Sequence, residues 1–448
     1  MMGFLDRDHS VAGPGYNRWL VPPASLSVHL AIGQVYGFSV FNLPMTRLLG
    51  ITQPARGDWK LTTQGWIFSL AIVVLGLSAA LGGKWVERAG PRKAMFASAC
   101  CFSWGFLVAA FGVRLHNFFI VSLGYGLLGG IGMGLGYVAP VKTLIDWFPD
   151  RPGLATGMAI MGFGGGAMIG SPLAVALMDH FRSATTMGVW ETFVAMGLGY
   201  FIFMMLGVGL VRVPRPGWRP EGFVPAGPQK LVTAGHVSAD NAIRTRQFWC
   251  LWLVLFFNVT AGIGVLGQAS AMAQEIFKGR ITPVAAGGFV GLMSLFNMGG
   301  RFLWSSASDY LGRKFTYSLF FALGGALFAF TLTAGRMGSV GLFVATFALI
   351  MSMYGGGFAT IPAYLRDIFG AKQVSAIHGR LLTAWSAAGL AGPGLVNYIR
   401  EYQIEHGVAP AHSYFLTMYL MSWLLVFGFL CNHLVSEVDP RFFDRQDA

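Results

Sequence analysis

The sequence has little charge and few cysteines, and each shortage excludes a class of protein. Only 11% of the 448 residues are charged and 54% are hydrophobic, whereas soluble globular domains have about 25% charged residues. The four cysteines have neither the spacing of a metal site nor that of a disulfide framework. The sequence also shows no nucleophile–base pair. We therefore expect no enzyme, no cofactor and no metal.

Long apolar runs fill most of the chain and are typical of a multi-pass membrane protein. About 20 apolar residues are needed to cross a bilayer. On that basis the runs predict twelve transmembrane helices, at 24–43, 64–83, 95–113, 118–144, 154–178, 189–211, 248–272, 285–306, 316–334, 340–364, 375–399 and 413–434. The predicted fold class is an all-α polytopic membrane protein in a lipid bilayer.

Basic residues outnumber acidic residues by 31 to 19, and their positions predict the orientation of the chain. They are spread through the loops rather than gathered into one patch, which argues against a nucleic-acid partner. Alternate loops, on the side of both termini, carry roughly twice as many Lys and Arg residues as the other loops. The positive-inside rule therefore places both termini in the cytoplasm, and we expect the chain in the plasma (inner) membrane.

One loop motif occurs twice, once in each half of the chain. Its copies read Glu87-Arg88-Ala-Gly-Pro-Arg92-Lys, after predicted helix 2, and Asp309-Tyr-Leu-Gly-Arg313-Lys, after predicted helix 8. This duplication predicts two pseudo-symmetric six-helix halves, 1–211 and 248–448. A cytoplasmic linker rich in Pro, Gly and Arg joins them at 212–247. In such repeat proteins the substrate site forms where the two repeats meet.

The loop pair resembles the signature of the major facilitator superfamily (MFS). The resemblance implies that cytoplasmic contacts of five charged residues hold one access state: Glu87, Arg88, Arg92, Asp309 and Arg313. The alternative is that these charges only set the topology. Either acid would also be stabilised by the helix dipole if it lay next to a helix N-terminus.

Arg301 lies inside an otherwise apolar run, in predicted helix 8. A charge at membrane depth is costly unless it is paired or faces an aqueous cavity, so Arg301 predicts a binding site for an anion. Asn297, one turn earlier, is expected either to orient the guanidinium or to contact the substrate. The other intramembrane cation, Lys142, is expected to pair with Asp146, which lies one turn later.

Segments of predicted helices 1, 4, 8 and 10 resemble the oxalate/formate antiporter (OFA) branch of the MFS, which is related to the monocarboxylate transporters. The resemblance implies that Arg301 binds a substrate carboxylate and that four aromatic residues wall the cavity: Tyr36, Tyr137, Tyr354 and Phe358. The alternative for any one of these aromatic residues is ordinary helix packing.

Predicted helix 11 departs from that branch. Oxalate carriers of the branch have a lysine there, and an ungapped alignment from Phe369 and Gly370 places Trp385 at the same position. One fixed cation suits one carboxylate, and the tryptophan supplies apolar surface for a short organic tail. We therefore expect a small monocarboxylate as substrate, not oxalate.

The expected function is transport of formate, lactate, pyruvate or a close relative, by alternating access and by a monomer. Exchange of the oxalate:formate type, and a membrane sensor that does not transport, are the alternatives. The coupling stays open between anion exchange and proton symport. His29, which lies two helical turns before Tyr36, could pass a proton or could be a packed, hydrogen-bonded histidine.

Overall fold

The computed structural model of the protein describes residues 2–223, 231–233, 235–266 and 268–444. Part of the predicted linker, 224–230 and 234, lies outside these ranges. Within them the regular structure is helical, and the β-type contacts are isolated bridges, between Val11 and Val213 and between Val237 and Phe443.

Twelve long helical segments, α1–α12, occupy the positions predicted from the apolar runs. They are α1 (Val21–Ile32, continued by Gly33–Phe41 and Asn42–Met45), α2 (Leu61–Ala89), α3 (Pro91–Arg114), α4 (Phe118–Val121, Ser122–Gly129 and Gly130–Trp147), α5 (Pro152–Phe181), α6 (Val189–Leu210), α7 (Arg246–Leu266), α8 (Pro283–Leu311), α9 (Arg313–Arg336), α10 (Val340–Phe369), α11 (Val374–Leu381 and Thr383–Glu405) and α12 (Phe415–His433). In the part of the chain that the structure describes, ten of the twelve, all except α8 and α11, are long and apolar enough to cross a membrane. The predicted all-α polytopic class is confirmed.

Three of these segments are not regular α-helices throughout. α1 winds as a 3-10 helix over Gly33–Phe41, and α4 winds as a π-helix over Ser122–Gly129. α11 is interrupted after Leu381. Long 3-10 stretches and π segments inside helices are uncommon and occur often at functional positions. Tyr36 lies within the 3-10 stretch of α1.

The chain folds into two compact units. The first contains α1–α4, most of α5, α6 and the segment Ser375–Thr383 of α11. The second contains Arg151–Gly157, which includes the first residues of α5, together with α7–α10, the rest of α11 and α12. The division of the chain at 211 and 248 stays a prediction.

In the second unit, α8 and α10 approach closely at two glycines. A Cβ atom at Gly300 would overlap the carbonyl oxygen of Ser352, and a Cβ atom at Gly355 would overlap that of Asn297. Because no larger residue fits at either position, the two backbones lie against each other there. This contact places Arg301 of α8 next to residues of α10.

Candidate functional site

Arg301 is the centre of a buried cluster in the second unit. Its side chain is fully buried, and its Nε–H donates a hydrogen bond of 2.9 Å to Asn297 Oδ1. The guanidinium carbon lies 5.2 Å from the centre of the Phe358 ring, which is a cation–π distance. Asn297 thus contacts the guanidinium directly, and whether it also contacts the substrate stays a prediction.

Three aromatic side chains extend the cluster from α10 and α11. The ring of Phe358 lies 5.4 Å from that of Tyr354 and 4.7 Å from that of Trp385. All three side chains are buried. Trp385, which aligns with the lysine position of predicted helix 11, thus lies in the same cluster as Arg301. A cation at position 385 would lie on the other side of the Phe358 ring from the guanidinium, or beside it.

A second cluster lies in the first unit and joins α1, α4, α5 and the start of α11. The ring of Tyr137 lies 5.3 Å from His29, 5.3 Å from Phe163 and 5.8 Å from His378. Tyr36 packs edge-on against Phe163, with the ring centres 5.2 Å apart. The structure therefore brings the three predicted residues of the N-terminal half together.

The imidazole of His29 lies between two main-chain carbonyl groups. Its Nδ1 faces the carbonyl oxygen of Ala159 on α5, and its Nε2 lies 3.1 Å from that of Tyr137 on α4. The ring is fully buried. The ring is therefore held by hydrogen bonds on both sides, and the role predicted for His29 stays a prediction.

Sequence reasoning missed two members of this cluster, Phe163 and His378. Both are buried, and His378 lies within the first segment of α11. The available signal was a lone imidazole beside apolar neighbours, Ile377-His378-Gly379. A single buried histidine is more often a packed core residue, so the pattern alone did not single it out.

Each acid of the duplicated motif binds the N-terminus of another helix. Asp309 accepts hydrogen bonds from the backbone N–H groups of Gly153, at 2.7 Å, and Leu154, at 2.9 Å, at the start of α5. Glu87 accepts one of 2.9 Å from the N–H of Ser375, at the start of α11. The first N–H groups of a helix have no acceptor inside it, so a carboxylate there is stabilised by hydrogen bonds and by the helix dipole.

The basic residues of the two motif copies differ in their contacts. Arg313 forms buried ion pairs with Asp309, at 2.5 Å, and with Asp367 at the end of α10, at 3.0 Å. Arg88 is exposed. Lys142 pairs with Asp146 as expected, at 2.5 Å.

Arg92 lies at the start of α3 and holds main-chain groups. Its guanidinium donates to the carbonyl oxygens of Phe4, His9 and Val211 at 2.9–3.1 Å. The carbonyl of Val211 follows the end of α6, where the negative end of the helix dipole attracts a cation. Arg92 therefore ties the N-terminal segment to α6, and the gating role predicted for it stays a prediction.

Comparison with known proteins identifies the family. Residues 24–393 match the family model of the Major Facilitator Superfamily. The chain is 30% identical to the oxalate:formate antiporter of Oxalobacter formigenes over 386 residues, which cover 85% of this chain and 84% of that protein. It is 23% identical to the apicoplast pyruvate carrier 1 of Toxoplasma gondii, with 74% and 68% of the two chains covered.

Solved structures support the same fold. The fucose:proton symporter of Escherichia coli superposes with a TM-score of 0.67 over 94% of this chain and 98% of that chain, at 12% sequence identity. A likeness at that identity concerns the fold alone. Together with the family match and the relatives, it shows that the chain belongs to the major facilitator superfamily, in the oxalate/formate antiporter branch, and is a multi-pass membrane transporter rather than an enzyme.

Proposed function

We propose that this carrier transports small organic monocarboxylates of the formate, lactate and pyruvate class, and that Arg301 binds the carboxylate. The observation that carries the proposal is a fully buried guanidinium within α8, which is held by Asn297 and lies beside the ring of Phe358. An ionisable side chain at membrane depth is a functional-site candidate by default, and in a carrier of organic anions a cation there suits the substrate carboxylate.

The geometry around Arg301 suits carboxylate recognition. Asn297 holds the Nε–H and thereby fixes the plane of the guanidinium, while the Phe358 ring lies near it. A planar guanidinium can grip a carboxylate with two parallel, charge-assisted hydrogen bonds. Orienting the fork before the substrate arrives reduces the entropy that binding must overcome.

Trp385 supports a monocarboxylate over oxalate. It contacts Phe358 in the same cluster, at the position where oxalate carriers of the branch have a lysine. A dicarboxylate would leave its second charge against an apolar ring, which is unfavourable without a second cation. The similarity to the oxalate:formate antiporter nevertheless favours exchange of that type as the second candidate.

We further propose alternating access by a monomer in the plasma (inner) membrane, with both termini in the cytoplasm. The bonds from Asp309 to α5 and from Glu87 to α11 support the gating part, because they attach two equivalent loops to two equivalent helix starts. Arg313 takes part in these gating contacts through its ion pairs with Asp309 and Asp367. Substrate binding then shifts the balance between states by neutralising the charge of Arg301.

Counterflow in proteoliposomes tests the proposal. Vesicles loaded with unlabelled formate, lactate, pyruvate or oxalate are diluted into a trace of the same labelled anion. The native carrier should accumulate at least one labelled monocarboxylate, and Arg301→Gln should abolish this accumulation. Arg280→Gln, which removes an exposed arginine of the α7–α8 loop, is the matched control and should transport normally. Undiminished counterflow in Arg301→Gln would refute the assignment, and counterflow of oxalate alone would favour the second candidate.

A further inference from the structure

A pocket of about 580 Å³ lies where the chain enters α7 and where it continues beyond α12. It is lined by residues 244–247 and 437–442 of the second unit. Both helices are long and apolar enough to cross a membrane, so their ends mark the membrane surface. Ligand pockets in proteins usually have about 300–1,000 Å³. This one contains no residue of the Arg301 cluster or of the gating contacts, and it has no role in the proposed function.

Two amide side chains hold the walls of this pocket together. Gln247 donates to Ser436 Oγ, at 3.2 Å, and to the carbonyl oxygen of Glu437, at 2.7 Å. Asn241 donates to the carbonyl oxygen of Phe442, at 3.1 Å. These bonds fasten the C-terminal segment to α7 and to the residues just before it. The pocket is therefore a formed feature of the fold, with both of its walls fixed by hydrogen bonds.

The charged residues of the pocket leave one positive charge in excess. They are three arginines and two carboxylates: Arg244, Arg246, Arg441, Glu437 and Asp439. Arg441 pairs with Asp439 at 3.4 Å, so these two charges compensate each other. Arg244 and Arg246 are exposed, and neither forms an ion pair with a described residue. With Glu437 counted against them, a ligand with a single negative charge would balance the pocket.

The two arginines and the start of α7 suit a phosphate group. Arg246 is the first residue of α7, and its guanidinium lies 3.5 Å from the carbonyl oxygen of Leu434, just after the end of α12. A guanidinium presents a planar fork of N–H donors that matches phosphate oxygens. The positive end of the α7 dipole points to the same place and adds to the attraction for an anion.

An aromatic row on α7 begins beside the pocket. Trp249 donates from Nε1 to the carbonyl oxygen of Ile243, at 2.9 Å, and its ring is about half exposed. The rings of Trp252 and Phe256 follow along the helix, with successive centres 6.2 and 5.4 Å apart. Tryptophan is enriched where proteins cross the membrane–water interface. Such a row gives an acyl chain a surface to lie along, which a soluble phosphate compound would not use.

We propose that this pocket binds the headgroup of an anionic membrane phospholipid, with Arg244 and Arg246 on the phosphate and an acyl chain along the row that begins at Trp249. Basic pockets at the ends of transmembrane helices attract anionic lipid headgroups. The charge balance favours a headgroup with one net negative charge, such as that of phosphatidylglycerol, over the zwitterionic headgroup of phosphatidylcholine. The inference is independent of which anion the carrier transports.

Native mass spectrometry of the full-length carrier in detergent measures the affinity for the first bound lipid. Phosphatidylglycerol should bind at least about tenfold more tightly than phosphatidylcholine with the same acyl chains. In the double variant Arg244→Gln and Arg246→Gln, the Kd for phosphatidylglycerol should rise at least about tenfold, because both arginines attract the phosphate. Glu437→Gln removes a negative charge and should lower that Kd about fivefold. A misfolded protein would not show this tighter binding.

The matched control is Arg280→Gln, which removes an exposed arginine of the α7–α8 loop and should bind phosphatidylglycerol like the native carrier. Equal affinity of the native carrier for the two lipids, or an unchanged Kd in the double arginine variant, would overturn the inference. Displacement of phosphatidylglycerol by an equal concentration of sn-glycerol 3-phosphate would show a site for soluble phosphate esters, and it would overturn the assignment to a membrane lipid.

Discussion

At the scale of single residues, two polar pairs lie one helical turn apart, Asn297 with Arg301 and Lys142 with Asp146. Arg301 and Asn297 lie four residues apart on one helix, so their hydrogen bond follows from helix geometry once the segment is known to be helical. The pair Lys142 and Asp146 follows in the same way. His378 was not predictable because its neighbour Tyr137 is far away in the sequence, and no local pattern indicates such a contact.

Trp385 gives the sharpest prediction at this scale. Trp385→Lys would place an ammonium group beside Phe358, in the cluster that contains Arg301, and would supply a cation for a second carboxylate. We expect counterflow of oxalate to appear or to rise at least about tenfold relative to the native carrier, which corresponds to about 1.4 kcal/mol. Monocarboxylate counterflow should fall, because the site would then contain an unbalanced charge.

Trp385→Phe is the control for that experiment. It keeps an apolar aromatic ring at the same position and should retain the monocarboxylate preference. If Trp385→Lys folds and still ignores oxalate, the residue at this position does not set the charge of the preferred substrate.

At the scale of helices, the existence and order of all twelve segments could be predicted, but three irregularities could not. Long apolar runs indicate a membrane span whatever the details of its winding. The 3-10 stretch Gly33–Phe41 and the π stretch Ser122–Gly129 each contain a glycine against the backbone of another helix, Gly33 at Phe163 and Gly124 at Ala109. Both stretches are mostly apolar, so hydrophobic periodicity contains no signal for their winding.

At the scale of helices, the contact of Asp309 with the start of α5 should stabilise the first turn of that helix. Asp309 accepts bonds from the N–H groups of Gly153 and Leu154, which lack acceptors within the helix. Asp309→Asn removes the charge that the helix dipole stabilises, an effect of up to about 2 kcal/mol in a partly buried site. Hydrogen exchange of the first amides of α5 should accelerate at least about tenfold, since about 1.4 kcal/mol corresponds to a factor of ten.

Asp439→Asn is the matched control. Asp439 also accepts from a backbone N–H, that of Arg441, but its carboxylate is about half exposed. Its replacement should leave exchange in α5 unchanged. Equal exchange in the native carrier and in Asp309→Asn would show that this contact does not stabilise the state described.

At the scale of the whole molecule, the duplicated loop motif predicted the fold and the family match confirmed it. The sequence shows that the two copies of the loop motif have similar residues, but it does not show whether those residues make similar contacts. Asp309 and Glu87 bind equivalent helix starts, whereas Arg313 and Arg92 have different partners. The difference arises because the N-terminal segment covers Arg92, and no motif indicates where that segment folds.

The orientation of the whole chain in the membrane can be tested by labelling single cysteines. After replacement of the four native cysteines, Arg219→Cys in the linker should be shielded from a membrane-impermeant maleimide added outside intact cells. Arg56→Cys, in the exposed loop before α2, should react. The expectation follows from the excess of basic residues in the loops on the side of the termini. The reverse labelling pattern would invert the proposed topology.

The most direct test of the central claim is the affinity of the purified carrier for its monocarboxylate, measured by calorimetry in the native protein, Arg301→Gln and Arg280→Gln. Two charge-assisted hydrogen bonds of about 1.5 kcal/mol each predict a rise in Kd of at least about 100-fold for Arg301→Gln. Arg280→Gln should bind like the native protein. An unchanged Kd in a folded Arg301→Gln carrier would contradict the claim that this guanidinium binds the substrate.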